Sequence, residues 1–279
     1  MSHASLGDVI AEMEAAFPPS YAEGWDSVGL ICGDPTRMVG TVHFALDPVA
    51  ATVDEALTAG ADLLITHHPL YLRGTDTVSA ATPKGALIHR LIEGGCALFN
   101  AHTNGDAANE GTAVVLADLF ELTEVSVVEP SHIGEDVGLG RMGRLPHSMR
   151  AAELGRLIAQ RLPATARGVA LGGDPQRMVE WLAVCPGAGD SSLERVRALG
   201  ADAMLTSDLR HHPAQEALAY EDSPVLFDAA HFATESPWLA RAATVLERAA
   251  AQRGWALEIT VSSLTTDPWT TLYLPEGSS

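Results

Sequence analysis

Two parts of the chain carry the same short motifs, in the same order and at the same spacing. Gly33-Asp34-Pro35-Thr36-Arg37-Met38-Val39 returns 140 positions later as Gly173-Asp174-Pro175-Gln176-Arg177-Met178-Val179. At the same offset, Gly60-Ala61-Asp62-Leu63-Leu64-Ile65-Thr66 returns as Gly200-Ala201-Asp202-Ala203-Met204-Leu205-Thr206. Gly-Asp-Pro and Gly-Ala-Asp are turn and cap signals, so we assign structural roles to Asp34, Asp62, Asp174 and Asp202. Two matches in one register indicate that a single folding unit has been duplicated.

Short apolar runs alternate with amphipathic segments in both repeats. In the first repeat, the runs 63–66 and 96–100 are strand candidates, and 49–59 and 84–93 have the spacing of helices. This alternation predicts βαβ units with mainly parallel or mixed sheets. We therefore expect an α/β protein of two similar, interlinked lobes, with residues 1–128 as the first repeat and 129–279 as the second. The C-terminal segment could pack on the first lobe, and no inserted third domain is expected.

A glycine-rich stretch, Gly134 to Gly143, lies between the two repeats. It contains a Gly-x-Gly-x-x-Gly pattern, but no strongly apolar strand precedes it and no helix-like segment follows. A dinucleotide-binding loop needs both, so we reject that function and interpret the stretch as a linker between the halves, with the first strand of the second repeat nearby.

The composition narrows the classes of partner. The chain has 279 residues, 17 basic against 36 acidic, and a formal net charge of −19. Such an acidic surface repels phosphate backbones and anionic lipids, which disfavours nucleic acid and membrane partners. Three widely spaced cysteines give no disulfide framework. The N-terminus lacks a signal-peptide pattern and no long apolar run is present, so we expect a cytoplasmic protein.

Metal-type ligands follow the ends of several apolar runs. His67 and His68 come directly after one predicted strand, Asp106 follows the next, and His231 and Glu235 follow a third. Imidazoles and carboxylates without thiolates suit zinc, manganese, iron or cobalt. Five ligands are too many for one open tetrahedral site and too few for two closed ones. They suit two neighbouring divalent ions that share a carboxylate and keep positions open for water.

Three further polar residues are candidates for supporting roles. His102 could orient Asp106 or a bound water, or be an ordinary core histidine. His212 could exchange protons with a substrate or lie on the surface at a helix start. Asp208 follows a predicted strand and could line the same cavity. Near the N-terminus, Trp25-Asp26-Ser27 could cover the site, although a buried tryptophan followed by a helix-capping aspartate is the simpler expectation.

These residues lie in motifs that resemble one known family, the dinuclear-metal-centre hexameric proteins, also called NIF-three-like or GTP cyclohydrolase 1 type 2-like. The matching stretches run through nearly the whole chain: Trp25-Asp26-Ser27-Val28-Gly29-Leu30, Thr66-His67-His68-Pro69-Leu70, Asn100-Ala101-His102-Thr103-Asn104-Gly105-Asp106, Gly140-Arg141-Met142-Gly143, Thr206-Ser207-Asp208, and Asp228-Ala229-Ala230-His231-Phe232-Ala233-Thr234-Glu235. Two positions depart from the family pattern, with Ser27 in place of asparagine and Ser207 in place of glycine.

The resemblance implies a ligand assignment and an assembly. His67 and Asp106 would hold one metal, His68 and His231 the second, and Glu235 would bridge both. The family fold is two-lobed, and its members form toroidal homohexamers with the metal sites facing an inner cavity. Some relatives carry an inserted domain between the halves, for which the interval here is too short.

The function expected on this basis is that of a metal-dependent hydrolase acting on a small molecule. The family name points to ring opening of GTP, and phosphoester hydrolysis by the same centre is chemically as reasonable. The alternative is a non-catalytic metal-binding scaffold or metal chaperone. A nucleic-acid clamp is disfavoured by the charge.

Overall fold

The computed structural model describes residues 3–274, which form two compact units. The first unit consists of the chain up to Gly111 together with Trp238–Thr266, and the second consists of Thr112–Pro237 and the segment that begins at Asp267. The chain therefore leaves the first unit, builds most of the second, and returns to add a helix and a strand to the first. The repeat boundary at residues 128 and 129 concerns the duplication of the sequence and stays a prediction.

The secondary structure alternates between strands and helices along both units. The strands are β1 (Ala4–Ser5), β2 (Gly29–Cys32), β3 (Met38–Val39), β4 (Thr41–Ala45), β5 (Leu63–Thr66), β6 (Ala97–Asn100), β7 (Thr123–Ser131), β8 (Gly134–Arg150), β9 (Val169–Gly172), β10 (Met178–Ala188), β11 (Ala203–Ser207), β12 (Val225–Ala229) and β13 (Glu258–Val261). The helices are α1 (Leu6–Ala16), α2 (Ala50–Thr58), α3 (Pro83–Glu93), α4 (Thr103–Ala107), α5 (Thr112–Leu119), α6 (Ala151–Arg161), α7 (Leu193–Ala198), α8 (His211–Leu218), α9 (His231–Glu235) and α10 (Trp238–Arg253).

Each unit is built around a mixed sheet with a parallel centre. The first sheet has the order β13-β4-β5-β6-β2, in which only β2 runs antiparallel to its neighbour. The second has the order β7-β8-β10-β11-β12-β9, in which β10, β11 and β12 are parallel and β9 is antiparallel to β12. Both sheets thus contain three parallel strands followed by an antiparallel edge strand, in the orders β4-β5-β6-β2 and β10-β11-β12-β9. This shared arrangement confirms the predicted α/β class and the duplication.

The register of the sheets follows the sequence repeat. Val42 pairs with Leu63 in the first sheet, and Leu182 pairs with Ala203 in the second, so both partners are shifted by the same 140 positions. The central strands are buried on both faces, and Leu63–Thr66 is buried throughout. This explains why they appear in the sequence as short continuous apolar runs.

Asp62 and Asp202, which are equivalent in the sequence repeat, form equivalent hydrogen bonds in the two units. Asp62 Oδ2 accepts hydrogen bonds from the backbone N–H groups of residues 40 and 41, at 2.8 and 3.1 Å. Asp202 Oδ2 accepts from those of residues 180 and 181, at 2.9 Å each. Each carboxylate therefore ties the start of one central strand to the next, as expected for structural residues.

The glycine-rich stretch after residue 133 is not the linker that the sequence predicts. Residues 134–150 form the long strand β8, which lies between β7 and β10. A side chain at Gly138 would collide with the carbonyl oxygen of Glu129 on β7, so the close approach of the two strands excludes larger residues. Pro146 is tolerated because the β8–β10 ladder is irregular between the pairs Arg144–Trp181 and Met149–Val179.

Separate apolar cores stabilise the two units. Val53, Leu64, Leu91 and Leu98 belong to the core of the first unit, where helices pack on the sheet. Burial of each such side chain contributes about 1.5–3 kcal/mol relative to exposure. No helix within residues 3–274 is long and apolar enough to cross a membrane.

Candidate metal centre

Three imidazoles cluster at the carboxyl ends of two parallel strands in the first unit. His67 and His68 follow β5, and His102 follows the adjacent strand β6. Their ring centroids are 5.1 Å (67 to 68), 5.4 Å (67 to 102) and 5.7 Å (68 to 102) apart. Each ring offers one nitrogen, and the three nitrogens lie within 4.8 Å of one another. Neighbouring parallel strands end at the same edge of a sheet, which is where ligands bind in α/β proteins.

Each of these imidazoles is fixed through its Nδ1 atom. His67 Nδ1 is 2.9 Å from the carbonyl oxygen of Ala101, which is a pure acceptor, so Nδ1 carries the proton. His68 Nδ1 lies 2.6 Å from Asp47 Oδ1, and His102 Nδ1 lies 2.9 Å from Asp26 Oδ1. Metal-binding histidines are usually held in this way, because an acceptor on Nδ1 fixes the tautomer that presents Nε2 to the metal.

Asp106 brings a carboxylate to the same place. It lies on α4, the one-and-a-half-turn helix that follows His102, and its Oδ1 is 3.5 Å from Nε2 of His67. The imidazole of His67 is fully buried and packs on the indole of Trp238, with ring centroids 5.1 Å apart. The buried face therefore keeps His67 rigid while its Nε2 atom faces the carboxylate.

A second set of candidate ligands lies in the second unit, at the end of β12. His231 Nε2 is 3.0 Å from Glu235 Oε2, one helical turn later on α9, and His231 Nδ1 is 2.8 Å from Asp208 Oδ2. Burial alone would lower the pKa of His231, but the adjacent Glu235 and Asp208 outweigh burial and raise it to about 11. The same hydrogen bond from His231 lowers the pKa of Asp208. A cation is therefore favoured between these two acids, whether a proton on the imidazole or a metal ion.

The backbone at Gly187 leaves room for the Glu235 carboxylate. Gly187 has a φ of +71°. A Cβ at this position would lie less than 3.0 Å from Glu235 Oε1, a separation that real Cβ atoms essentially never show. The Gly187 N–H donates to Thr234 Oγ1 at 3.1 Å, and its carbonyl accepts from Thr206 Oγ1 at 3.1 Å. Glycine at this position thus satisfies both the backbone conformation and the space that Glu235 needs.

The repeat relates these residues in pairs. Gly187 lies 140 positions after Asp47, and Asp208 lies 140 positions after His68. Asp47 of the first repeat is thus replaced by Gly187 in the second, and His68 is replaced by Asp208. Equivalent strand ends therefore carry different residues in the two repeats.

Comparison with known proteins identifies the family of the chain. The family model described as Duf34/NIF3 (NGG1p interacting factor 3) matches residues 4–268. The chain belongs to the DUF34/NIF3 family. A Streptomyces coelicolor relative named GTP cyclohydrolase 1 type 2 homolog is 49% identical over 267 residues, which cover 95% of this chain and 93% of that protein.

Two further proteins resemble the chain over nearly its whole length. A Mycobacterium tuberculosis relative of the same name is 34% identical and covers 95% of this chain and 96% of its own length, over 370 aligned residues. That alignment exceeds the 279 residues present here, so the relative contains insertions. The crystal structure of a Bacillus cereus protein related to NIF3 has a TM-score of 0.91 at 20% identity, covering 98% and 100% of the two chains, and shows the shared fold.

The structure assigns surroundings to the remaining predicted residues of this family member. His102 donates to Asp26 through its side chain and accepts the Asp106 N–H through its backbone carbonyl at 2.9 Å. Asp208 lies beside His231, whereas His212 is exposed on the first turn of α8. The functional roles of these three residues stay predictions.

The expectation of a buried Trp25 is wrong. Its side chain is 60% exposed, and its ring centroid is 6.0 Å from that of His102. The neighbouring Asp26 does cap a helix, because its Oδ2 accepts from the N–H of Thr103, the first residue of α4, at 3.0 Å. Burial would raise the pKa of Asp26, but the hydrogen bonds from His102 and Thr103 outweigh it and lower that pKa far below the usual range.

Sequence reasoning missed the residues that orient the imidazoles. Asp47 comes two residues after β4 and also accepts a hydrogen bond from Thr266 Oγ1, which fixes its carboxylate. Because Asp47 follows a predicted parallel strand, its position in the sequence could have indicated that it lies near the site. The carbonyl of Ala101 has no side-chain signal, and only the folded backbone identifies it.

A groove in the first unit begins at His68. It has a volume of about 520 Å³ and is lined mainly by apolar residues of the loops after β4 and β5 and of α3. Asp47 and His68 contribute to one wall, and Lys84 and Arg90 of α3 supply cations, with Arg90 paired to Asp54. Its volume is in the range of small-molecule sites.

Proposed function

We propose that the chain binds two divalent metal ions through His67, His68, Asp106, His231 and Glu235 and uses them to hydrolyse a small molecule. The observation that carries this proposal is the consistent use of Nδ1. His67, His68 and His231 each direct Nδ1 to a fixed oxygen acceptor, an arrangement typical of metal ligands. The donor set of imidazoles and carboxylates fits zinc, manganese, iron or cobalt.

Two such ions would supply Lewis acidity and would lower the pKa of a water molecule, which makes it a nucleophile for hydrolysis. Residues of the chain would orient the candidate ligands, balance the charge and move protons. Asp47 and Asp26 orient His68 and His102, Glu235 neutralises positive charge, and the hydrogen-bonded pair of His102 and Asp26 could hold or transfer a proton during the reaction.

The substrate that we propose is a nucleotide or another small phosphoester. Relatives carry the name GTP cyclohydrolase 1 type 2 homolog, which favours opening of the guanine imidazole ring of GTP with release of formate. The groove that begins at His68 has the volume for such a ligand, and Lys84 supplies a positive charge in an otherwise acidic protein.

The test combines metal analysis with turnover. The full chain would be loaded separately with zinc, manganese, iron and cobalt and incubated with GTP or p-nitrophenyl phosphate. We expect two ions per chain, loss of about one in His68→Ala, weakened binding of both in Glu235→Ala, and turnover that disappears in Glu235→Ala. The exposed His132 provides the control variant His132→Ala, which should match the parent.

Two results would count against this function. If either ligand variant keeps two tightly bound ions, the ligand assignment is wrong. If the parent binds two ions and turns over neither compound with any metal, the function is that of a non-catalytic metal-binding scaffold or metal chaperone.

We also propose that the chain forms a cytoplasmic homohexamer, as the family resemblance implies. The cysteines at 32, 96 and 185 are free, and two of them are buried, which suits a reducing compartment. Light scattering coupled to size-exclusion chromatography should give six times the 29.3 kDa chain mass, and a monomeric mass would refute the assembly.

A further inference from the structure

An exposed tryptophan lies beside the imidazole cluster of the first unit. The side chain of Trp25 is 60% exposed, although its ring centroid is only 6.0 Å from that of His102. The two rings are nearly perpendicular, at 78°, so this contact covers at most one face of the indole. A large apolar face is thus presented to solvent directly beside residues that can bind a metal.

The position of Trp25 is fixed by its neighbours in the sequence. Asp26 has a fully buried side chain, which bonds His102 Nδ1 at 2.9 Å and Thr103 Oγ1 at 2.6 Å. Before Trp25, the backbone N–H of Glu23 donates to Thr103 Oγ1 at 3.0 Å, and after it the carbonyl of Ser27 accepts from Asn100 Nδ2 at 3.1 Å. The indole is therefore held on an anchored segment, and its exposure is not that of a loose loop tip.

The anchoring residues are also the residues that orient the cluster. Asp26 connects the segment of Trp25 to His102, and Thr103 begins the helix that carries Asp106. A ligand placed on the indole is consequently held at a defined distance from the imidazoles. Such positioning is what brings a reacting group close to a catalytic centre.

We propose that Trp25 is the surface on which a planar heteroaromatic ring of the substrate, such as a nucleobase, stacks. This inference rests on the proposed function for its reaction, and it names the substrate class of the same site. A protein with a net charge of −19 attracts anionic substrates poorly, so stacking on an uncharged ring gives affinity that charge does not. Bases stack on aromatic side chains with little dependence on their identity, since every base has a π-face.

Binding measurements on the metal-loaded full chain test this proposal. The probes are guanosine, adenosine and GTP, each with a base, and ribose 5-phosphate and pyrophosphate, which have none. We expect Trp25→Ala to raise the Kd of the three base-containing probes roughly tenfold or more, as stacking on one aromatic ring predicts. Trp25→Phe should recover most of the affinity, and the Kd values of the two other probes should not change.

A second exposed tryptophan serves as the matched control. Trp269 is 59% exposed, so Trp269→Ala removes an equally exposed indole and should leave all Kd values unchanged. The metal content of Trp25→Ala should equal that of the parent. Equal binding of nucleosides by the parent and Trp25→Ala would overturn the proposal, as would a parent that binds no nucleoside.

The same experiments separate this proposal from the proposed hydrolase. A Trp25→Ala variant that changes the assembly mass and leaves nucleoside binding intact would show that the indole packs against a second copy of the chain, and would also overturn the stacking role. Weakened nucleoside binding in Trp25→Ala, together with no turnover by the parent, supports the stacking surface and refutes only the hydrolytic function.

Discussion

Replacing Gly187 by alanine is expected to weaken metal binding by displacing the carboxylate of Glu235. A Cβ at position 187 would approach Glu235 Oε1 more closely than 3.0 Å, whereas ordinary contact begins at 3.4 Å. The carboxylate must therefore withdraw by about 1 Å, a misplacement that can cost on the order of 100-fold in a catalytic site. Disturbing the surroundings of metal ligands typically costs about 10–100-fold in affinity.

The φ of +71° at Gly187 adds a separate cost that affects stability. A residue with a Cβ loses roughly 1–2 kcal/mol in this left-handed conformation. Gly200 provides the control, because its φ is +77° and an added Cβ meets nothing within 4 Å. Gly200→Ala should therefore show a similar loss of stability and the metal affinity of the parent.

Metal affinity would be measured by competition with a chromophoric chelator, and stability by urea unfolding of the metal-free proteins. The expected result is a Kd that rises about 10–100-fold in Gly187→Ala, equivalent to roughly 1.4–2.8 kcal/mol, with no rise in Gly200→Ala. Equal metal affinity in both variants would refute the argument, since it would show that Glu235 is not a ligand.

Three further predictions follow from contacts around the candidate ligands and in the first unit. Asp47→Asn should weaken metal binding about 10–100-fold in the chelator competition, because it removes the charged acceptor of His68, whereas Asp54→Asn at the surface should not. Although burial opposes protonation, the neighbouring carboxylates raise the pKa of His231 to about 11, so metal binding at neutral pH should release a proton. Affinity should therefore increase with pH, and calorimetry in buffers of different ionisation enthalpy should detect the proton. Burial raises the pKa of Glu110, but two arginines of α10 outweigh burial and lower it. Its stabilisation is then present above the ordinary glutamate pKa and lost as the pH falls through the lowered one. Glu110→Gln should cost about 0.5–1 kcal/mol in urea unfolding at pH 7, with no difference from the parent in strong acid.

The sequence predicted the elements whose stability is local or repeated. Leu63–Thr66 is a strand with the predicted bounds, because a short apolar run buried on both faces has few alternatives. Asp62 and Asp202 are structural in equivalent ways, because the same turn chemistry recurs with the same motif. The positions of His67, His68 and His102 at the ends of β5 and β6 also agree with the prediction, because neighbouring parallel strands direct their carboxyl ends to the same edge of a sheet.

The remaining features depend on contacts between distant parts of the chain. The strand β8 contains glycines and a proline, whose local preferences oppose a strand, and its ladders to β7 and β10 override them. The acceptors Asp26 and Asp47 reach their histidines from 76 and 21 positions away. The space that glycine leaves at 187 is needed by the carboxylate of Glu235, 48 positions later, and no local sequence pattern predicts that contact.

The return of the chain to its first unit has a consequence for synthesis on the ribosome. The strand β13, which pairs with β4, and the helix α10, whose Trp238 packs on Phe17, are translated after nearly all of the second unit. Until then the nascent protein exposes an open edge on β4, the kind of edge that invites aggregation. Chains that stop near Pro237 should accordingly need chaperone protection, although they contain every one of the five proposed metal ligands.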